Sequence, residues 1–282
     1  MTEFIQQTAL VSETAAISES EVTTASAALQ KQLTRDFGPI WDVKATIDTF
    51  ARLEDVPLAY WPIIVQDDIH VDAAGVHLDN DGQPFALVQY SNRWTLTASH
   101  ELLEMSADPF GNRLIASRSV KRGQGRVQYL VEVADPSEAP EFGYHVNGIL
   151  VSDFYTPQFF DPVTSPATRY SFTGAIKKPR QVLRGGYLSW HHPPTDHWWQ
   201  QRWFTGDKPV FKDLGVLQGS QGSIRAQIDR LTPMREMVED LAPRSKVLTD
   251  SKAVREEVDQ STAARARTLK AQIDEIKSRA HG

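Results

Sequence analysis

The segment Trp94 to Ala107 constrains this chain most, because it holds neither Gly nor Pro and directly follows the apolar run Phe85-Ala86-Leu87-Val88-Gln89-Tyr90. A short apolar run bounded by turn residues reads as a strand, and a long uninterrupted segment after it reads as a helix. Thr95 or Thr97 is a fitting N-cap, and Asp108-Pro109 stops the helix. A strand beside a helix is therefore the local prediction.

The sheet has further candidates. Trp61-Pro62-Ile63-Ile64-Val65 reads as a buried strand, and Asp79-Asn80-Asp81-Gly82-Gln83-Pro84 as a turn joining two strands. Val127 to Val133 is rich in β-branched residues and ends in Ala134-Asp135-Pro136, and Gly148 to Phe154 is another short strand. Pro157 to Pro209 is dense in Pro, Gly and aromatic residues, which predicts irregular chain held by packing. Ala28, Leu29, Leu33 and Phe37 fit one face of an earlier helix, stopped by Gly38-Pro39. After Ser220, Ile224, Ile228 and Leu231 form one helical stripe, and Leu269, Ile273 and Ile276 another.

The chemistry concentrates in His100-Glu101-Leu102-Leu103-Glu104. Positions i and i+4 of a helix lie one turn apart on one face, so His100 and Glu104 can hold one metal ion together. Zinc accepts imidazole nitrogen and carboxylate oxygen at similar distances. Glu101 is offset by one residue's rotation, suited to reach a metal-bound water without being a ligand. A catalytic zinc needs a third protein ligand and one open position. The acidic residues of Glu132-Val133-Ala134-Asp135 are the best source, with Glu132 favoured. Asp135 is then an alternative ligand or a carboxylate that orients His100. His77 and Asp153 are weaker candidates. By spacing alone, a His–Glu pair is better explained by glutamate's preference for solvated helix faces than by metal binding.

Trp94-Thr95-Leu96-Thr97-Ala98-Ser99-His100-Glu101-Leu102-Leu103-Glu104-Met105, closed by Asp108-Pro109-Phe110-Gly111-Asn112, resembles a bacterial family of zincin-like metallopeptidases. That family pairs a His-Glu-x-x-Glu helix with a downstream Val-Glu-Val-x-Asp-Pro element, here Val131 to Pro136. The resemblance runs from about Ala28 to Trp199. It takes in Arg35 to Trp41, Asp79 to Pro84 and Val151 to Pro157. Relatives often carry cysteine beside the Asp-Pro element, where this chain has Ala134 and Ser137. The resemblance implies one Zn2+ per chain and a peptide or protein substrate. The zinc would lower the pKa of its water, and Glu101 would act as general base. The Phe85–Tyr90 strand, if it is a sheet edge, would pair with extended peptide.

Composition narrows the alternatives. With Lys+Arg 30 against Asp+Glu 36, the net charge of -6 argues against a nucleic-acid partner. Cys is 0, which excludes disulfides, thiolate zinc sites and cysteine nucleophiles. There is no Gly-x-Ser-x-Gly elbow, and no Gly-x-x-x-x-Gly-Lys phosphate loop. No apolar run is long enough to span a membrane. No secretory signal stands at the N-terminus, so a cytoplasmic location is expected, with signal-independent export left open.

The aromatic stretch around Trp190-His191-His192 and His197-Trp198-Trp199 offers Tyr187 and His191 as substrate-pocket residues, although an aromatic loop packed over the sheet explains it better. The expected fold is α+β: a zincin-like mixed sheet with an active-site helix (25–219), a flexible N-terminal arm (1–24) and a C-terminal helical extension (220–282) able to serve assembly or oligomerisation. The leading function is zinc-dependent peptide-bond hydrolysis. The alternatives are a catalytically weak or silent zincin-like module with a structural metal, and a metal-free buried polar network around His100.

Overall fold

A computed structural model describes residues 5–71, 73–218 and 222–232. β1 (Gln6–Ser12) and α1 (Glu19–Lys31) open the chain. α1 runs into a π-helical turn (Gln32–Phe37) and α2 (Gly38–Trp41), followed by β2 (Ala45–Phe50) and β3 (Trp61–Gln66). β4 (Gly75–Asn80) and β5 (Gln83–Gln89) form a hairpin that leads to α3 (Trp94–Ala107). Next come β6 (Leu114–Arg118), β7 (Arg126–Leu130), β8 (Tyr144–Val146), β9 (Ile149–Val151), β10 (Tyr187–His192), β11 (His197–Arg202), β12 (Val210–Gly215) and α4 (Ile224–Arg230).

The first sheet has the order β2-β1-β3-β5-β4, parallel except for β4, which runs antiparallel to β5 at the edge. The second is antiparallel, β12-β11-β10-β7-β6, and β8 and β9 form a separate hairpin. The architecture is thus α+β with a mixed sheet. Among the described residues no helix is long and apolar enough to cross a membrane.

The N-terminal stretch departs from the expected flexible arm. Residues 6–12 are the strand between β2 and β3, with Ala9, Leu10 and Val11 fully buried. Few large apolar residues stand there, but a parallel strand covered on both faces needs only small and branched ones. Its polar side chains are satisfied: the Thr8 hydroxyl donates to the Thr46 carbonyl at 2.6 Å, and the Gln6 amide to Ser106 of α3 at 3.2 Å. α1 also begins earlier than its apolar stripe suggests. Ser18 and Glu21 form a capping box, which supplies acceptors to otherwise free N-terminal donors.

α3 is buried along nearly its whole length, packed on β3, β4, β5 and β9. Its N-cap is Arg93 with no side-chain cap, while Thr95 donates to the Leu150 carbonyl at 3.0 Å. The expected β7 strand ends at Leu130, and the expected irregular region 157–209 contains the β10–β11 hairpin. Trp190 and Trp198 are buried on that hairpin, so the aromatic residues that suggested loop packing are strand residues facing hydrophobic clusters. The predicted helix through Leu269, Ile273 and Ile276 lies outside the described residues.

One aromatic cluster ties the two ends of the fold together. Phe154 is fully buried, 5.1 Å from Phe37 and 5.1 Å from Phe172 by ring centroids. Phe154→Ala removes both ring contacts and leaves a cavity that close packing cannot refill. A loss of about 4 kcal/mol in urea-unfolding free energy is expected. A loss below about 1 kcal/mol would mean that the site collapses onto the gap.

Candidate metal centre

α3 holds its functional residues inward because its other face is anchored. Ser99 Oγ donates to Gln32 Oε1 at 2.7 Å and accepts the Ser152 amide at 2.9 Å. Gln32 in turn reaches the Ser152 carbonyl and the Tyr144 hydroxyl, which donates to Asp36 at 2.9 Å. This buried polar network fixes the rotation of the helix.

On the inward face, His100 Nε2 lies 3.2 Å from Glu104 Oε2 and 3.2 Å from Asp135 Oδ1. Glu104 is fully buried, and its Oε1 accepts the Ala134 amide at 3.1 Å, which leaves Oε2 for the cluster. β7 has ended before Glu132, and a 3-10 turn follows at Asp135–Ser137. Strand alternation therefore no longer separates the two acids, and Glu104, Glu132 and Asp135 present donor atoms within 4.8 Å of one another. Asp135 approaches the same His100 nitrogen as Glu104 rather than the other ring nitrogen.

Two further groups join. His77 on β4 is buried, its Nδ1 3.5 Å from Glu101 Oε2 and 3.8 Å from Glu104 Oε2. Glu138 lies within donor range of His100 and Asp135. Glu101 is buried and faces Gly75 at the start of β4, where a Cβ would stand 2.7 Å from Glu101 Oε1. Gly75 therefore makes room for that carboxylate.

Of the remaining sequence candidates, Asp153 and His191 lie elsewhere, whereas Tyr187 stands close enough to the cluster for the charges of Asp135, Asp229, Glu138 and Glu104 to add to burial in raising its pKa. Asp153 is buried and accepts the Thr173 amide at 2.8 Å. His191 spends its ring nitrogens on Gln128 at 3.0 Å and Asp196 at 2.8 Å, outside the cluster. Tyr187 is buried on β10 and packs edge-on against Phe204. The strand expected to offer a peptide-pairing edge, Phe85–Tyr90, is flanked on both sides, and β4 is the edge instead.

Arg225 joins the cluster although no motif in the sequence points to it. It projects from α4 and is buried, with Nη1 3.1 Å from Glu104 Oε2, 3.2 Å from Asp135 Oδ2 and in contact with Glu132 Oε2. Asp229 holds its Nε at 2.9 Å, one helical turn on. A visible signal was the Arg225–Asp229 spacing after the Ser223 cap, but nothing local ties that pair to His100.

The electrostatics follow from crowding. Burial works against a charged His100, but the Glu104 charge and hydrogen bonds to Asp135 and Glu104 outweigh it and hold its pKa well above the usual imidazole value. Burial likewise opposes ionisation of Glu104, yet His100 and Arg225 beside it keep its pKa below the ordinary range. Asp135 is driven well upward by burial and by the Glu104 charge. Glu138 is pushed up to about 8 by burial, against the pull of His100. Burial also raises Asp229, despite its pairing with Arg225. More carboxylates are buried here than cations, so protons make up the deficit.

Several buried donor atoms lack a well-formed hydrogen bond: both ring nitrogens of His77, Glu101 Oε2 and Glu132 Oε1, whereas Glu132 Oε2 and Asp135 Oδ1 are met only by the ion pairs to Arg225 and His100. Such atoms are costly when left unmatched, and they suit a cation. The 3.2 Å donor separations also match the edge of a tetrahedral zinc site, about 3.3 Å for bonds of about 2.0–2.1 Å. The donor set could hold a metal ion. Compared with known proteins, the chain matches no protein-family model and no curated protein.

Proposed function

We propose that this protein is a zincin-like, zinc-dependent hydrolase of peptide bonds, with His100 and Glu104 as ligands, a third carboxylate from the 132–135 stretch, and Glu101 as general base. The observation that carries this reading is the pair of 3.2 Å separations from His100 Nε2 to Glu104 and Asp135, in a buried cluster with unmatched oxygens. Those distances support Asp135 as third ligand at least as well as Glu132. Bound zinc would supply Lewis acidity and lower the pKa of a water molecule.

The chain's own residues do the rest. Ala134 N–H holds one Glu104 oxygen so that the other faces His100. Glu101, beside His77 and β4, is the base that takes a proton from water and returns it to the leaving amine. β4 offers an antiparallel edge along which extended peptide can pair.

A second reading is a silent module in which the Arg225 guanidinium is the standing cation of a metal-free network. Its contacts to Glu104, Glu132 and Asp135 favour it. Metal content by mass spectrometry separates the two readings. About one zinc per chain, lost in His100→Ala, is expected, and a Glu101→Gln control then tests peptide hydrolysis with the metal retained. No metal in the wild type, even after adding zinc at neutral pH, sinks the hydrolase reading.

Zinc uptake is also expected to depend on pH. The neighbouring carboxylates favour the protonated form of His100, whereas zinc needs the neutral ring. Apparent affinity therefore rises with pH up to the raised His100 value, and binding releases protons. Calorimetric titration in two buffers of different protonation enthalpy measures that release; heats that are independent of buffer would contradict it.

A further inference from the structure

The C-terminal part of the described chain does more than pack on the domain. α4 is short, yet it is docked at a defined place. Its first amides go to the turn that ends α3: Ile224 N donates to Asn112 Oδ1 at 2.9 Å, and Arg225 N to the Gly111 carbonyl at 3.0 Å. Gly111 has φ +58, and a Cβ there would stand 2.6 Å from Arg225 Cβ. The left-handed glycine thus both turns the chain and admits Arg225 close to the backbone. Ser223 caps the helix by accepting the Ala226 amide at 3.1 Å.

This docking has two consequences at the candidate centre. First, one guanidinium nitrogen sits among Glu104, Glu132 and Asp135, close to all three acceptors. The proposed zinc position at His100 and the guanidinium share Glu104 Oε2, and an ion held there would place a second positive charge against Arg225, so the two cations compete for that oxygen. Second, α4 packs against β4, the open edge of the first sheet. A groove of about 640 Å³ continues there, lined by Val76 and Leu78 from β4 and Ala226 and Asp229 from α4. The same helix therefore stands beside the strand edge and puts Arg225 into the carboxylate cluster.

We propose that α4 is an internal plug: Arg225 occupies the carboxylates that would otherwise take a divalent cation, and release of α4 frees both the cluster and the β4 edge. This inference rests on the metal reading above. A guanidinium is a good stand-in because it is always charged and presents several donors to carboxylates, whereas a lysine would offer only a point charge. α4 is held by the Arg225 ion cluster, by the bonds to Gly111 and Asn112, by Ile228 packed against Leu130 and Trp198, and by Arg202 and Gln200 at Leu231 and Thr232, so its release must break all of these. The apparent zinc affinity of the full chain is then its intrinsic affinity reduced by the fraction in which α4 is undocked.

The test compares zinc binding by calorimetry for the full-length wild type, Arg225→Gln and Asn112→Ala. The last variant loosens α4 without touching a donor of the cluster. Zinc is expected to bind Arg225→Gln at least about tenfold more tightly than wild type, with Asn112→Ala between them. In the wild type, adding zinc is expected to speed trypsin cleavage at Arg225 and Arg230, because metal and docked α4 compete for Glu104 Oε2.

Tight zinc binding by the wild type, unchanged in both variants and with the trypsin rate unaltered, overturns the plug and leaves the metal site standing. Failure of all three proteins to take zinc removes the metal reading and the plug with it. Should Arg225→Gln not fold, Asn112→Ala and the zinc-dependent cleavage of the wild type decide the matter alone.

Discussion

Glu104→Gln is expected to lower the unfolding free energy by about 3 kcal/mol and to abolish zinc uptake, although it keeps the size and shape of the side chain. Glu104 is where the cluster converges: Oε1 takes the Ala134 amide, and Oε2 lies between His100 and Arg225. Its pKa is lowered in the folded protein because those cations outweigh burial, so the ionised form stabilises the fold. By linkage, that contribution is present above the unfolded carboxylate value and is lost as pH falls through the folded one. Gln forfeits it at neutral pH and leaves His100 and Arg225 less well compensated.

Part of the loss is offset, since Asp135 is pushed upward by the Glu104 charge and ionises more easily without it. Glu138→Gln is the contrasting control. With its pKa pushed up to about 8, Glu138 is mostly protonated at pH 7, where Gln resembles it, and a change within about 0.5 kcal/mol is expected. Urea unfolding of both variants at pH 7 checks the pair. Equal losses would mean that the charges in this cluster are not ordered as described.

Gly186→Ala is expected to cost about 2–3 kcal/mol and to weaken zinc binding, although Gly186 carries no donor. A Cβ at Gly186 would stand 2.5 Å from the Asp135 carbonyl oxygen and 2.7 Å from that of Pro136. These are backbone atoms, tied in turn by the Leu183 amide to the Pro136 carbonyl at 2.9 Å, so the clash cannot be relieved by a rotamer change. The 3-10 turn that carries Asp135 must shift, and with it the 3.2 Å approach to His100. Stability by urea titration and zinc affinity by calorimetry are expected to fall together. A stable Gly186→Ala protein with unchanged affinity would show that the turn tolerates the added methyl group.

Much of the first sheet and its helix was legible because their signals are local. The Trp61–Val65 run, the Asp81-Gly82 turn and the segment Trp94 to Ala107 became β3, the β4–β5 hairpin and α3. Asp81 and Gly82 both take positive φ, as a two-residue hairpin turn of this kind requires. β1 was not legible, since Gln6-Gln7-Thr8 reads as solvated chain until its hydrogen-bond partners, Ser106 and Thr46, are brought beside it. The β10–β11 hairpin was hidden behind Pro193-Pro194, which sits in the turn rather than within a strand.

For the candidate centre the same division holds. That His100 and Glu104 share a helix face follows from their spacing, because one helical turn separates them in any fold that keeps the helix. The acids after an apolar strand near residue 132 are equally plain in the order of residues. That both Glu132 and Asp135 reach Glu104, that His77 enters from an antiparallel edge strand, and that Arg225 stands among the carboxylates came from the folded chain alone. Those encounters depend on where β7 ends, on sheet order and on the docking of α4 at Gly111. They are contacts between distant segments, set by packing and loop closure, and no periodicity in the chain records them.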